Sequence, residues 1–163
     1  MNYSGITKAS FVNGEGSRVV LWVSGCEHQC VDCQNRDTWN PLYGRKYDLD
    51  AECELFYALN RQQIDGLTLS GGDPLYKTNV KEVTKICKKF RDIFGDSKTI
   101  WLYTGYLWFD INNLDIMQYL DVVVDGKFIS HLYDESLKYK GSFNQRIINV
   151  QKSLNAGGIV LWE

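Results

Sequence analysis

Four short runs of apolar, β-branched or aromatic residues recur along the chain, and each is followed closely by glycine. The runs are residues 19–23, 67–69, 99–103 and 122–124, and the glycines are Gly25, Gly71-Gly72, Gly105 and Gly126. Continuous apolar runs that end at turn residues are typical of strands buried on both faces. The pattern therefore predicts four buried strands.

The segments between these runs have the periodicity of amphipathic helices. The pattern predicts one helix over residues 49–62, a clearer one over 79–94 and a shorter one over about 110–119. Asn79 with Glu82 three residues later is typical of a helix-capping pair, and Gly95 marks the end of that helix. After Gly126 the alternation stops, and residues 146–150 and 159–162 are candidate extra strands.

Alternating strands and helices predict an α/β fold with a mostly parallel sheet. A complete eight-unit barrel needs about 200 residues or more, so this chain can form only a partial (β/α) barrel with a wide mouth. Ligands of such sheets bind at the carboxyl ends of the strands, and the glycines that follow the four apolar runs all fall there. No linker or repeat divides the sequence, and we expect residues 1–163 to form a single domain.

Composition excludes some classes of function but adds little to the prediction of the fold. The 163 residues are 44% hydrophobic and 23% charged, with a formal net charge of −2, so the basic excess of a nucleic-acid-binding protein is absent. Residues 1–14 do not resemble a signal peptide, and no apolar run is long enough to span a membrane. We therefore expect a cytoplasmic protein with reduced thiols, in which five cysteines indicate metal or redox chemistry rather than disulfides.

Three of these cysteines follow the first predicted strand in the segment GCEHQCVDCQN. Cys26, Cys30 and Cys33 have the spacing C-x3-C-x2-C. Soft thiolate ligands favour zinc or an iron–sulfur cluster over hard cations. A structural zinc site normally closes with four protein ligands.

No residue of the chain is an obvious fourth ligand. The candidates are His28, His131, Cys53 and Cys87. His28 lies inside the cysteine loop, where its side chain could hardly share the same metal, and His131 is expected in a solvent-facing loop. Cys53 and Cys87 fall on predicted helices and are interpreted as small buried hydrophobic residues. A four-iron cluster with three cysteines would have one iron open to substrate, which gives a reason for stopping at three.

The cysteine spacing after a first strand resembles the signature of the radical S-adenosylmethionine superfamily. Further motifs are similar to the activating enzymes of anaerobic (class III) ribonucleotide reductases. They are FVNGEGSR at 11–18, SGCEHQC at 24–30, NRDTWN at 35–40, LSGGDPL at 69–75, IWLYTGY at 100–106, VDGKF at 124–128 and GSFNQR at 141–146. The resemblance implies a partial barrel of the radical S-adenosylmethionine type.

The resemblance also implies site residues. Cys26, Cys30 and Cys33 would ligate a 4Fe-4S cluster, and S-adenosylmethionine would bind its open iron. The strand-end segment Gly71, Gly72 and Asp73 would receive the methionine amino group through backbone carbonyls, with glycine at position 72 leaving room for the ligand. The backbone of Asp32, Cys33 and Gln34 would meet the adenine. No side chain is expected to be catalytic, because the cluster and the sulfonium would supply the chemistry.

The implied activity is reductive cleavage of S-adenosylmethionine to a 5′-deoxyadenosyl radical, which generates a glycyl radical on the reductase. The implied partners are the large subunit of the anaerobic ribonucleotide reductase and reduced flavodoxin or a similar electron donor, with no nucleic acid and no membrane. Two alternatives remain. One is a radical enzyme acting on a small molecule, like the 7-carboxy-7-deazaguanine synthases, although these typically have Cys-Asp-Thr where this chain has Cys33-Gln34-Asn35. The other is a non-enzymatic metal-binding module.

Overall fold

A seven-stranded sheet forms the centre of the computed structural model, which describes all 163 residues. The strands are β1 (Asn2–Ser10), β2 (Arg18–Val23), β3 (Arg45–Lys46), β4 (Gly66–Gly71), β5 (Thr99–Tyr103), β6 (Val122–Asp125) and β7 (Arg146–Asn149). Their order in the sheet is β3-β1-β2-β4-β5-β6-β7. The two outer strands do not pair with each other, so the sheet is open and is not a closed barrel.

The middle of the sheet is parallel, as predicted. Strands β2, β4, β5 and β6 pair in parallel, whereas β1 and β7 run antiparallel to their neighbours. The four predicted apolar strands are confirmed, and their carboxyl ends lie at one edge of the sheet. Strand β1 was not predicted because its sequence, NYSGITKAS, mixes polar and apolar residues without a continuous run.

Two long helices pack on the sheet and complete the main core. Helix α1 (Leu49–Leu59) and helix α2 (Val80–Phe94) bury apolar side chains, among them Leu55 and Phe90, in a cluster of 27 buried residues. Gly95 ends α2 with a φ of +53° and a backbone N–H that donates to the carbonyl of Arg91, as predicted. No helix in the chain has both the length and the apolar character that a membrane crossing requires.

The last third of the chain differs from the prediction in two places. Residues 110–119 do not form one helix: a short helix α3 (Trp108–Ile111) is followed by a separate 3-10 turn (Asp115–Tyr119). Two asparagines, poor helix formers, lie between them at positions 112 and 113. The expected strand over 146–150 ends at Asn149, which begins helix α4 (Val150–Ala156), and residues 159–162 contribute only one isolated bridge, from Leu161 to Ile148.

A buried arginine, Arg18, links the loop between β1 and β2 to strands β4 and β5. The Arg18 side chain donates hydrogen bonds to Thr68 Oγ1, to Thr99 Oγ1 and to three backbone carbonyls. Its guanidinium lies 5.5 Å from the centre of the Trp101 ring. Burial lowers the pKa of Arg18 to about 10, so the side chain is still charged at neutral pH. These hydrogen bonds hold residues 14–16 against the first residues of β4 and β5.

Candidate functional site

A cavity of about 410 Å³ opens at the edge where the parallel strands end. Most of the residues expected to bind a cofactor line it. They are Cys26, Cys30, Cys33, Gln34, Gly71, Gly72 and Asp73. The fold thus brings the end of β2, which carries the cysteines, beside the end of β4, which carries the glycine pair.

Asp32 is the one expected contact residue that does not line this cavity. Its side chain is exposed, and its backbone adopts a left-handed conformation with a φ of +57°. Gln34, two residues later, is exposed but contributes to the cavity wall. Only the backbone of Asp32 was expected to meet a ligand.

The three cavity cysteines are free thiols of intermediate exposure. Burial raises the pKa of Cys26 to about 11. Burial also raises the pKa of Cys30, partly offset by the backbone N–H of Phe128, which donates to that thiol. The positive charge of Lys127 also favours the Cys30 thiolate, and a positively charged metal centre would stabilise the thiolates much further, with release of protons on binding. The donor set therefore fits an iron–sulfur cluster.

Of the four candidates for a fourth ligand, only His28 lines the cavity, and its ring is hydrogen-bonded to Asp73. Cys87 is buried in the main core, as predicted, and His131 is exposed, as predicted. Cys53 is exposed on α1, so the expectation that it would be buried was wrong. No three His, Cys, Asp or Glu side chains stand close enough together to bind a single metal ion. A four-iron cluster is larger than one ion and takes its thiolates at wider spacing.

The backbone of residues 26–33, here called the cysteine loop, makes few hydrogen bonds. Its first residue is anchored, because the Cys26 N–H donates to the carbonyl of Trp39 at 3.2 Å. At the other end the Cys33 N–H donates to the carbonyl of Cys30 at 3.2 Å. Between these points, residues 27–32 donate no hydrogen bond to a backbone oxygen. The loop therefore depends on side chains for its position.

Asp73 provides the most connected of these side-chain contacts. His28 Nε2 lies 2.7 Å from Asp73 Oδ2, and the side chains are only 7% and 1% exposed. The same carboxylate accepts hydrogen bonds from the backbone N–H groups of Leu75 and Gly105 and from the hydroxyl of Thr104. Because a carboxylate accepts hydrogen bonds, and the other partners of Asp73 are all donors, His28 donates to it through Nε2. One buried carboxylate thus ties the cysteine loop to the ends of β4 and β5.

The pocket for the His28 ring is completed by two residues that follow β5. The Tyr106 ring packs edge-on against the imidazole, with 4.5 Å between the ring centres. Its hydroxyl donates to Glu27 Oε1 at 2.5 Å. A Cβ on Gly105 would lie 2.3 Å from His28 Cδ2, so glycine is required there for space. The sequence pattern did not reveal these contacts, because they join residues far apart in the chain.

The glycine pair at the end of β4 leaves room for the protein's own backbone. A Cβ on Gly72 would lie 2.6 Å from the Gly25 carbonyl oxygen and 2.9 Å from that of Thr38. Glycine at position 72 is therefore required by the protein's own packing, and the expectation that it also leaves room for a ligand stays a prediction. The Gly72 carbonyl accepts no hydrogen bond from the protein, whereas the Asp73 carbonyl accepts one from Asn79. Of Gly72 and Asp73, Gly72 is thus the residue with a free backbone acceptor.

Asn79 does not act as the predicted helix cap. Its side chain makes no capping bond to α2. It is fully buried instead, and its amide nitrogen donates to the carbonyls of Ser24 at 2.9 Å and Asp73 at 3.0 Å. The residue therefore joins the segments that follow β2 and β4.

Comparisons with known proteins show which proteins the chain is similar to. A family model described as a 4Fe-4S single cluster domain matches residues 12–148. The anaerobic ribonucleoside-triphosphate reductase-activating protein of Enterobacteria phage T4 is 44% identical, over 90% of this chain and 93% of the relative. Proteins of the same name from Vibrio cholerae and Escherichia coli K12 are 39% and 38% identical. Those matches cover 90% and 89% of this chain and 97% and 96% of the relatives.

Proposed function

The chain belongs to the family of anaerobic ribonucleoside-triphosphate reductase-activating proteins, and from this premise we propose that it activates an anaerobic ribonucleotide reductase by generating a glycyl radical on it. Cys26, Cys30 and Cys33 would hold a 4Fe-4S cluster, and S-adenosylmethionine would bind beside it. When bound, the two would supply reductive cleavage of the sulfonium to a 5′-deoxyadenosyl radical that takes hydrogen from a glycine of the reductase.

The chain's own residues would bind and orient the cofactor. The free carbonyl of Gly72 is suited to accept a hydrogen bond from the methionine amino group, at the strand end where ligands of parallel sheets bind. The backbone of Asp32, Cys33 and Gln34 would meet the adenine. The carboxylate of Asp73 already accepts four protein donors and would act by holding the loops around the ligand.

One observation carries the proposal: three thiols on one loop share a cavity with the glycine pair at the end of β4. The sheet that bears them is open, so a segment of a large partner could enter. A reactive radical must be shielded from solvent, and the partner's surface would provide the cover. We propose a reductase large subunit as that partner, reduced flavodoxin or a similar protein as electron donor, and the cytoplasm as location.

The test is anaerobic reconstitution followed by two measurements. Iron and sulfide are determined first. S-adenosylmethionine and a reductant are then added, and deoxyadenosine and protein radicals are measured without and with the matching reductase. We expect a glycyl-radical doublet by electron paramagnetic resonance (EPR), which disappears when the radical-site glycine of the reductase is changed to alanine. Deoxyadenosine without any protein radical, together with consumption of a small molecule, would support the small-molecule alternative. Metal binding without deoxyadenosine would support the non-enzymatic module.

A further inference from the structure

The part of the cysteine loop between Cys26 and Cys30 has little support from backbone hydrogen bonds. Residues 27–32 donate no hydrogen bond to a backbone oxygen. Gln29 also has a left-handed φ of +50°, a conformation that a non-glycine residue adopts at some energetic cost. Some other interaction must keep this span in place.

Between Cys26 and Cys30, two side chains form hydrogen bonds to the rest of the protein. Glu27 is exposed, and its hydrogen bond with the Tyr106 hydroxyl lies at the surface, where water competes for both groups. The His28 imidazole is 93% buried and donates to a carboxylate that is 99% buried. Hydrogen bonds to charged groups in a water-excluded site are the stronger ones. His28 is therefore the principal anchor.

The surroundings are built to receive the imidazole. Gly105 is not in a left-handed conformation, so its backbone does not require glycine, yet a Cβ there would lie 2.3 Å from the His28 ring. The same residue donates its N–H to Asp73, which in turn accepts from His28. The lack of a side chain at Gly105 and the hydrogen bonds of Asp73 thus both serve the His28 side chain.

We propose that His28 is a positioning residue, which fixes Cys26 and Cys30 in the orientation that a cluster requires by anchoring the span between them to Asp73. The inference depends on the proposed function only for the identity of the group that the cysteines hold. The anchoring itself belongs to the metal-free protein.

The first test measures the two thiols in the iron-free full-length chain. Iodoacetamide alkylation of each cysteine is followed by mass spectrometry in wild type, His28→Ala, His28→Gln and His28→Phe. Gln retains an N–H donor near the position of Nε2, whereas Phe keeps a ring without a donor. We expect Ala and Phe to raise the alkylation rates of Cys26 and Cys30 about tenfold, which corresponds to about 1.4 kcal/mol, and Gln to stay near wild type.

Controls lie within the same chain. The alkylation rates of Cys53 and Cys87 should not change, and His131→Ala, at the other histidine, should leave all rates unaltered. Gly105→Ala, which intrudes on the ring, should resemble His28→Ala, whereas Gly5→Ala, with nothing within 4 Å of its added Cβ, should resemble wild type.

If His28→Ala does not fold, the comparison of His28→Gln with His28→Phe decides. Equal rates in that pair, or in wild type and His28→Ala, would overturn the inference.

The second test uses the reconstituted protein and a spectroscopic signature that a general loss of stability would not produce. His28→Ala and His28→Phe should take up less iron than wild type, even if their iron-free forms unfold at the wild-type temperature. After chemical reduction of the cluster, they should give a broadened EPR signal that responds less to S-adenosylmethionine, and His28→Gln should recover most of both properties. Wild-type iron content and an unchanged signal in His28→Ala would contradict the proposal. A wild-type protein that takes up no iron would defeat the proposed function, while the alkylation comparison would still decide the role of His28.

Discussion

At the scale of single residues, the site contains two kinds of side chain: some face the cavity, and others hold neighbouring residues in place. The thiols of Cys26, Cys30 and Cys33 belong to the first kind. The carboxylate of Asp73 belongs to the second, because protein donors already occupy it. A ligand that reaches the ends of β2 and β4 would therefore meet sulfur and backbone oxygen rather than an unoccupied Asp73 carboxylate.

Single cysteine substitutions test this division. Replacing Cys26, Cys30 or Cys33 by Ala should abolish cluster assembly and S-adenosylmethionine cleavage, because the cavity offers no other thiol. Cys53→Ala and Cys87→Ala should keep both, with a modest loss of stability at the buried position 87. Iron content and deoxyadenosine formation after anaerobic reconstitution measure the outcome. Full cleavage by the Cys30→Ala protein would contradict the assignment.

Gly72→Val should affect more than the ligand. The added Cβ meets the carbonyl oxygens of Gly25 and Thr38, and Gly25 directly precedes the first cysteine. We therefore expect iron content and S-adenosylmethionine affinity to fall together, as shown by iron analysis and ligand titration. Gly5→Val, in open space, is the matched control. Reduced affinity with normal iron content would mean that Gly72 serves the ligand after all.

At the scale of elements, the sequence predicted those parts of the fold whose residues share one environment. The central strands are buried on both faces and show as continuous apolar runs, and helix α2 shows a regular apolar stripe. Strand β1 was missed because it is antiparallel and only partly buried, so its pattern is mixed. The cysteines and the glycine pair could be identified from motifs. The contact between His28 and Asp73 could not, because it depends on how strand ends 45 residues apart meet.

Asn79 offers a test of one element boundary. If it capped α2, Asn79→Asp would be tolerated, since both residues are good caps. It donates instead to the carbonyls of Ser24 and Asp73, which a carboxylate cannot do. We therefore expect Asn79→Asp to lower the free energy of unfolding by about 2 kcal/mol or more, as measured by urea denaturation.

The matched control is Asn149→Asp. The Asn149 side chain caps α4 by accepting from the Lys152 N–H at 3.0 Å, so an aspartate should replace it with little change. Similar losses of stability at both positions would show that the two asparagines act alike and would contradict the assigned role of Asn79.

At the scale of the whole molecule, the sheet remains open and the cavity keeps a broad mouth. Three apolar side chains near this mouth are strongly exposed: Val12 at 75%, Val31 at 71% and Phe143 at 68%. Val12 lines the cavity, Val31 lies between two of its cysteines, and Phe143 lies between the lining residues Gly141 and Gln145. A partner that covers the cavity, as the proposed function requires, would meet these side chains.

Phe143→Ser should therefore weaken activation of the reductase without changing the cofactor site. Loss of a central aromatic contact typically corresponds to about a tenfold change in affinity or more, which we expect in the KM for the reductase. Iron content and S-adenosylmethionine affinity should match wild type. Tyr57→Ser, which removes an 82% exposed aromatic residue from α1, is the control. Equal KM values for the two variants would exclude a role for Phe143 in docking.

The sparse backbone bonding of the cysteine loop has a consequence for amide hydrogen exchange. Amides that donate to no backbone oxygen exchange readily with solvent deuterium unless something else protects them. In the iron-free protein, residues 27–32 should therefore take up deuterium much faster than the flanking β2. A bound cluster would restrict the loop and slow this uptake locally. The deuterium content of one short peptide would then report cluster occupancy in cell extracts, independently of colour, iron analysis or catalytic turnover.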